Sequence, residues 1–186
     1  MKKILLSSFV AVAIFSIAFA QDKKQTKQPT KDASTDLKED YQKLGSSLPT
    51  LRIVDTNNVS FTEKTFQDKH NFLLFMFNPT CGHCINMAKL IVGNHDAFKN
   101  NKIAFMASPQ MTSVIGSFYQ ATGIGKYPEI KVGVDSAYAI EKIYNYQTLP
   151  QLNIYDSKRK LIKVFHGDIT LDSLKPYLTP MAQRKG

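Results

Sequence analysis

The chain has 186 residues, a net charge of +9, 43% hydrophobic and 11% aromatic residues, and only two cysteines. That is enough apolar material for one ordinary buried core with extensions, and more than a disordered chain carries. Much of the positive charge lies towards the ends, at Lys23, Lys24, Lys27, Lys31, Arg184 and Lys185. No basic-aromatic stripe or nucleic-acid motif goes with it, so nucleic acid is not an expected partner.

Residues 1–20 begin with Lys2 and Lys3, run almost wholly apolar from Ile4 to Phe19, and end on the small-x-small triplet Ala18-Phe19-Ala20. This is the pattern of a secretory signal peptide. The apolar run is shorter than the roughly 20 residues of a spanning helix; an uncleaved N-terminal anchor is the alternative. The protein is expected to be exported, to the periplasm if the host is Gram-negative. Residues 21–45 are polar and charged, too poor in apolar groups to offset the entropy of ordering, and read as a flexible linker with a short helix around Asp36–Leu44. The folded domain is expected over 46–186.

From Leu48 the pattern changes. "LRIVDTNNVSF" predicts two short strands about an Asn-Asn turn. "HNFLLFMFN" is a continuous apolar run, as in a strand buried on both faces. Residues 82–99 follow helical spacing, with Gly93 a possible kink. "KIAFMAS" predicts another buried strand, 110–122 a helix ending near Gly123, "YPEIKVGVD" a short strand and 136–145 a helix. "LPQLNIYD" and "KLIKVFHG" predict a hairpin across the polar turn "SKRK", and "TLDSLKPYL" a closing helix with Thr170 as its N-cap. This alternation argues for an α/β sheet covered by helices.

Both cysteines fall in "NPTCGHC", with Pro79 and Thr80 before Cys81, and Gly82 and His83 between it and Cys84. A zinc site needs four ligands, and neither a second pair nor regular histidine spacing is present, so no metal is expected. A structural disulfide would close too short a loop to stabilise much. The pair sits between a buried strand and an amphipathic helix. That puts Cys81 where free N–H groups and the helix dipole favour negative charge, and a thiolate is the species that exchanges disulfides. Cysteines in such motifs ionise at about 3.5–7.5 rather than about 8.5. Cys84, one turn on, would be buried, remain a thiol and resolve a mixed disulfide. His83 either supports the Cys81 thiolate with partial positive charge or is a plain exposed histidine.

"FMFNPTCGHC", a following helix and a distant "TLP" before a hairpin resemble the thioredoxin superfamily over roughly residues 48–180, and more narrowly its exported TlpA/ResA-like branch. The resemblance implies a thioredoxin fold: a central mixed sheet with helices on both faces, extra N-terminal strands, and a TlpA-like insertion over about Pro109–Asp135. It implies a cis peptide before Pro150 beside the cysteines, with Thr148, Leu149 and Pro150 binding substrate. It implies thiol-disulfide exchange with protein disulfides or dithiols, a membrane or periplasmic thiol redox partner, and no cofactor beyond a redox-active Cys81–Cys84 disulfide. Tyr127, Tyr144 and Tyr146 either shape a substrate groove or belong to the core.

Three departures stand out. Thr80 replaces the usual Trp, Phe75 replaces the buried acid of thioredoxin, and Met87 falls where ResA-like reductases carry an acid. Glu63 or Asp68 is left as a candidate proton acceptor for Cys84. The CGHC dipeptide matches disulfide isomerases, so dipeptide and branch point to different redox poise. Reductase and oxidase or isomerase both stay open, as does a non-enzymatic metal-delivery or folding-assistance module using the thiols as ligands. The sequence sets no oligomeric state.

Overall fold

The computed structural model describes Tyr41, residues 43–144 and residues 146–178. The expected signal peptide, most of the linker and most of the short helix around Asp36–Leu44 lie outside the described residues.

Seven strands form one mixed sheet: β1 Arg52–Val54, β2 Ser60–Thr62, β3 Phe72–Met76, β4 Lys102–Ala107, β5 Lys131–Asp135, β6 Gln151–Tyr155 and β7 Leu161–His166. Their spatial order is β2-β1-β5-β4-β3-β6-β7. β3, β4 and β5 are parallel; β1 joins β5, and β6 joins β3, antiparallel. Among the described residues the α-helical elements include α1 Gly82–Gly93, α2 His95–Phe98, α3 Ile115–Thr122 and α4 Leu171–Leu174.

The all-apolar β3 is buried along its length, as a strand flanked on both sides and covered on both faces must be. Leu73 and Phe75 face a cluster with Met87, Ala88 and Ile91 of α1, Phe118 of α3 and Leu174 of α4. Phe72, Leu74 and Met76 face the opposite cluster, with Tyr41, Phe66, Ile140 and Tyr144. Phe75 stacks on Phe105 of β4 at 4.7 Å. The site expected to carry a buried acid is therefore part of an aromatic core.

Four expected helices differ in extent. The 110–122 run begins as a 3₁₀ helix, Pro109–Val114, and is α-helical only over Ile115–Thr122. The 82–99 run breaks at Asn94, whose side-chain amide donates to the Leu90 carbonyl (2.8 Å) and ends α1. Of the helix expected over 136–145, the described residues 136–144 give one turn of π-helix, Ile140–Tyr144. The buried Asp135 carboxylate accepts the N–H groups of Ala137 (3.0 Å) and Ile140 (2.7 Å), closing a loop where a helix would start. The closing helix keeps its Thr170 cap, which accepts the Ser173 N–H, but tightens to a 3₁₀ turn after four residues. The hairpin turn also holds a surprise. Arg159 is buried, donating to the carbonyls of Phe66, His70 (2.8 Å) and Asp156 (2.8 Å).

The insertion is clamped to the sheet by backbone proximity. A Cβ on Gly133 of β5 would stand 2.3 Å from the Val54 carbonyl oxygen of β1. Gly133→Ala should therefore cost about 2 kcal/mol in urea unfolding. Gly116→Ala in α3, where a Cβ meets nothing within 4 Å, should be neutral or stabilise by up to about 1 kcal/mol. Equal effects would contradict the close approach.

Candidate active site

β3 runs into the loop Phe77–Thr80, which is fixed by its own hydrogen bonds. The Asn78 side-chain oxygen accepts both the Thr80 N–H and the Thr80 hydroxyl, each at 2.9 Å, and the Cys81 N–H donates to the Asn78 carbonyl (3.0 Å). Pro79 is buried in this turn and Thr80 exposed. Cys81 thereby becomes the N-cap of α1, with extended backbone, and its carbonyl accepts the Ile85 N–H (3.0 Å). Its side chain makes no capping bond, and no acidic residue occupies the first turn. The half-buried sulfur stands at the helix start, beside the N–H groups of the first turn. Gly82, the first residue of α1, has open space where a Cβ would be.

Cys84 is in a different environment. It is wholly buried in the cluster beneath α1, and the Asn78 N–H points at its sulfur at 3.5 Å. Burial pushes its thiol up to about 12; Cys81 adds to the rise and the Asn78 N–H opposes it. Both cysteines are unbridged in this structure.

His83 is exposed, and its Nδ1–H donates to Asp168 Oδ1 at 2.7 Å. Asp168 lies between β7 and α4, 85 positions along the chain from His83, and nothing in its local sequence marks it. Both partners are largely solvated, so the contact orients the ring more than it stabilises the fold.

The peptide Leu149–Pro150 is cis. Gln151, the next residue, opens β6 and pairs with Met76, the last residue of β3. The cysteine loop and the proline loop therefore leave the sheet at the same end. Leu149 and Cys81 pack on one cluster. The Pro150 carbonyl accepts the Gly167 N–H (2.8 Å), while among the described residues no hydrogen bond engages the Leu149 backbone. Thr148 is exposed beside it.

Neither expected proton acceptor stands at Cys84. Glu63 accepts the Leu51 N–H (3.2 Å). Asp68 bonds His70 (2.8 Å) and Lys102 (3.3 Å). Burial raises Asp68, but hydrogen bonds from His70 and the Lys102 charge outweigh it and hold the carboxyl at about 2. Tyr144 belongs to the core, Tyr127 stacks on His95 (4.1 Å), and Tyr146 lines a cavity behind the proline loop. Among the described residues no three His, Cys, Asp or Glu side chains converge as a metal site would need.

No family model and no curated protein matches the chain. Solved structures do. The thioredoxin domain of a thiol-disulfide oxidoreductase from Bacteroides vulgatus superposes with TM-score 0.59 at 14% identity, over 72% of this chain and 94% of that one. This is the thioredoxin fold. StoA from Bacillus subtilis matches at TM-score 0.55 and 16% identity, over 69% and 96%. A secreted disulfide oxidoreductase from Mycobacterium tuberculosis, homologous to Escherichia coli DsbE, matches at 0.56 and 15%, over 75% and 96%. The thioredoxin fold here has the expected extra strands β1 and β2 and the expected insertion, which supplies α3 and β5.

The buried thiol has a pH signature. The unfolded chain releases the Cys84 proton above about 8.5, whereas the fold keeps it to about 12. The stability this group supplies is full below pH 8 and is lost as pH rises through that window. Reduced wild type should lose stability between pH 9 and 11 about 1 kcal/mol per pH unit faster than Cys84→Ala in urea titrations. Parallel slopes would contradict the burial.

Proposed function

We propose that this chain is an exported thiol-disulfide oxidoreductase that exchanges disulfides with protein clients through Cys81 and Cys84. The asymmetry of the two sulfurs carries the reading: one half-exposed at a helix start beside the Leu149–Pro150 loop, the other buried one turn behind it. Export rests on residues 1–20.

In the reducing direction Cys81, as thiolate, attacks a client disulfide. A Cys81–client bond forms, the client S–S bond breaks, and the departing client sulfur takes up a proton. Cys84 then gives up its proton and attacks the Cys81 sulfur. The Cys81–Cys84 disulfide forms and the second client thiol leaves. Two electrons and two protons have passed to the client; the oxidising direction is the reverse. The pair is its own redox group, and a membrane or periplasmic thiol partner resets it.

The remaining site residues position. Pro79, Thr80 and Gly82 shape the loop and the first turn around Cys81, and His83 stands at its mouth, oriented by Asp168. An extended client segment pairs with the unengaged Leu149 backbone, with Thr148 and Pro150 on either side. Such pairing reads backbone, which suits many clients.

Trapping separates the roles. Cys84→Ser should accumulate mixed disulfides with exported client proteins, seen as adducts that dithiothreitol releases, and Cys81→Ser should accumulate few or none. Adducts that require Cys84 instead would reverse the assignment.

A further inference from the structure

A cavity of about 460 Å³ opens behind the proline loop, on the sheet face away from α1. Resting on the exchange reading above, we propose that it is a specificity subsite for a neutral aromatic side chain next to the client's cysteine.

Strand geometry provides the link. Successive side chains of an added strand point to opposite faces of a sheet. Cys81 belongs with the cluster under α1, whereas the cavity is walled by Tyr41, Tyr144 and Val164, which belong with the opposite cluster. A client strand paired with Leu149 and presenting its cysteine to Cys81 therefore turns its neighbouring side chain to the cavity. Tyr146, Gln147 and Thr148 line the cavity too and run directly into Leu149–Pro150, so the two sites are continuous along the chain.

The lining selects the side chain. The floor is aromatic and fixed. The Tyr41 ring meets Tyr144 edge-on at 4.4 Å. The Tyr41 hydroxyl donates to Asn153 (2.8 Å) and accepts from Gln151, and the Tyr144 hydroxyl bonds that of Tyr155 (3.2 Å). Tyr41 and Tyr144 are thus a buried, immobile backing, and the ring surface left to a further ring is that of the half-buried Tyr146 in the cavity wall. Gln147, Thr148 and His166 are exposed at the rim and can meet a phenol hydroxyl. Among the described lining residues there is no Asp, Glu, Lys or Arg. A charged side chain would lose hydration there without gaining a counter-charge. The volume is within the range of small-ligand sites, about 300–1,000 Å³.

The test uses short blocked peptides with one cysteine, each as its symmetric disulfide, carrying Tyr, Ala or Asp on either side of that cysteine. Reduced full-length protein is mixed with each in single turnover, and thiol release is followed. A Tyr peptide should react about fivefold to tenfold faster than its Ala counterpart, and the Asp peptide should be slowest. The Tyr-to-Ala ratio should fall below about twofold in Tyr146→Ala and, at the exposed rim, in His166→Ala. Equal Tyr and Ala rates in wild type overturn the subsite and leave the exchange reading standing, as does a ratio that neither variant changes. If wild type reduces neither the peptides nor a small aromatic disulfide, the exchange reading falls and the subsite with it.

Discussion

Phe72 to Met76 sit between two partner strands and two apolar clusters, and none of their side chains reaches solvent. Because β3 is paired residue by residue with β4 and β6, its end cannot slide; a shift of one residue would exchange its two buried faces. The Met76–Gln151 pair then sets the distance between two loops that are far apart in sequence. One loop carries Cys81, the other the cis Leu149–Pro150 peptide. The positions of the sulfur proposed to react and of the backbone proposed to receive a client thus follow from hydrophobic burial in a strand that contains no reactive group.

The same burial makes the two cysteines unlike. The Asn78–Thr80 turn delivers the chain into α1 so that Cys81 caps the helix while Cys84 points into the core. Desolvation holds the buried Cys84 as a thiol, while Cys81 keeps its contact with solvent at the helix start. Sulfurs three positions apart can therefore take different roles without a dedicated acid or base. The carboxylates that might have served are used elsewhere: Asp68 faces His70, Lys102 and Arg159, and Glu63 anchors the backbone ahead of β1. In the proposed exchange, deprotonation of Cys84 would depend on what enters with a client; the Asn78 N–H is the loop group that faces its sulfur.

What could be read from the sequence was whatever depends on local pattern. A strand buried on both faces is a continuous apolar run, and β3 and β4 are such runs. The cysteine pair at a strand-to-helix junction and the hairpin are visible in that pattern, whereas the insertion and the cis proline follow from the resemblance. The parts that could not be read depend on distant partners. The Asp135 carboxylate captures two N–H groups and shortens a helix that spacing alone predicted. Arg159, in a turn that reads as polar, is buried because carbonyls from the loop before β3 surround it. Asp168 reaches His83 only because β7 ends beside α1. The cavity needs Tyr41, Tyr144 and His166 to meet from three separate segments.

The central claim is that the fold makes one sulfur available and hides the other. Brief alkylation of the fully reduced protein near neutral pH, with peptide mass mapping of each site, measures this directly. The account predicts that Cys81 is labelled in the native protein while Cys84 is labelled only after unfolding. Labelling of Cys84 at the same rate as Cys81, or ahead of it, in the folded state would contradict the account.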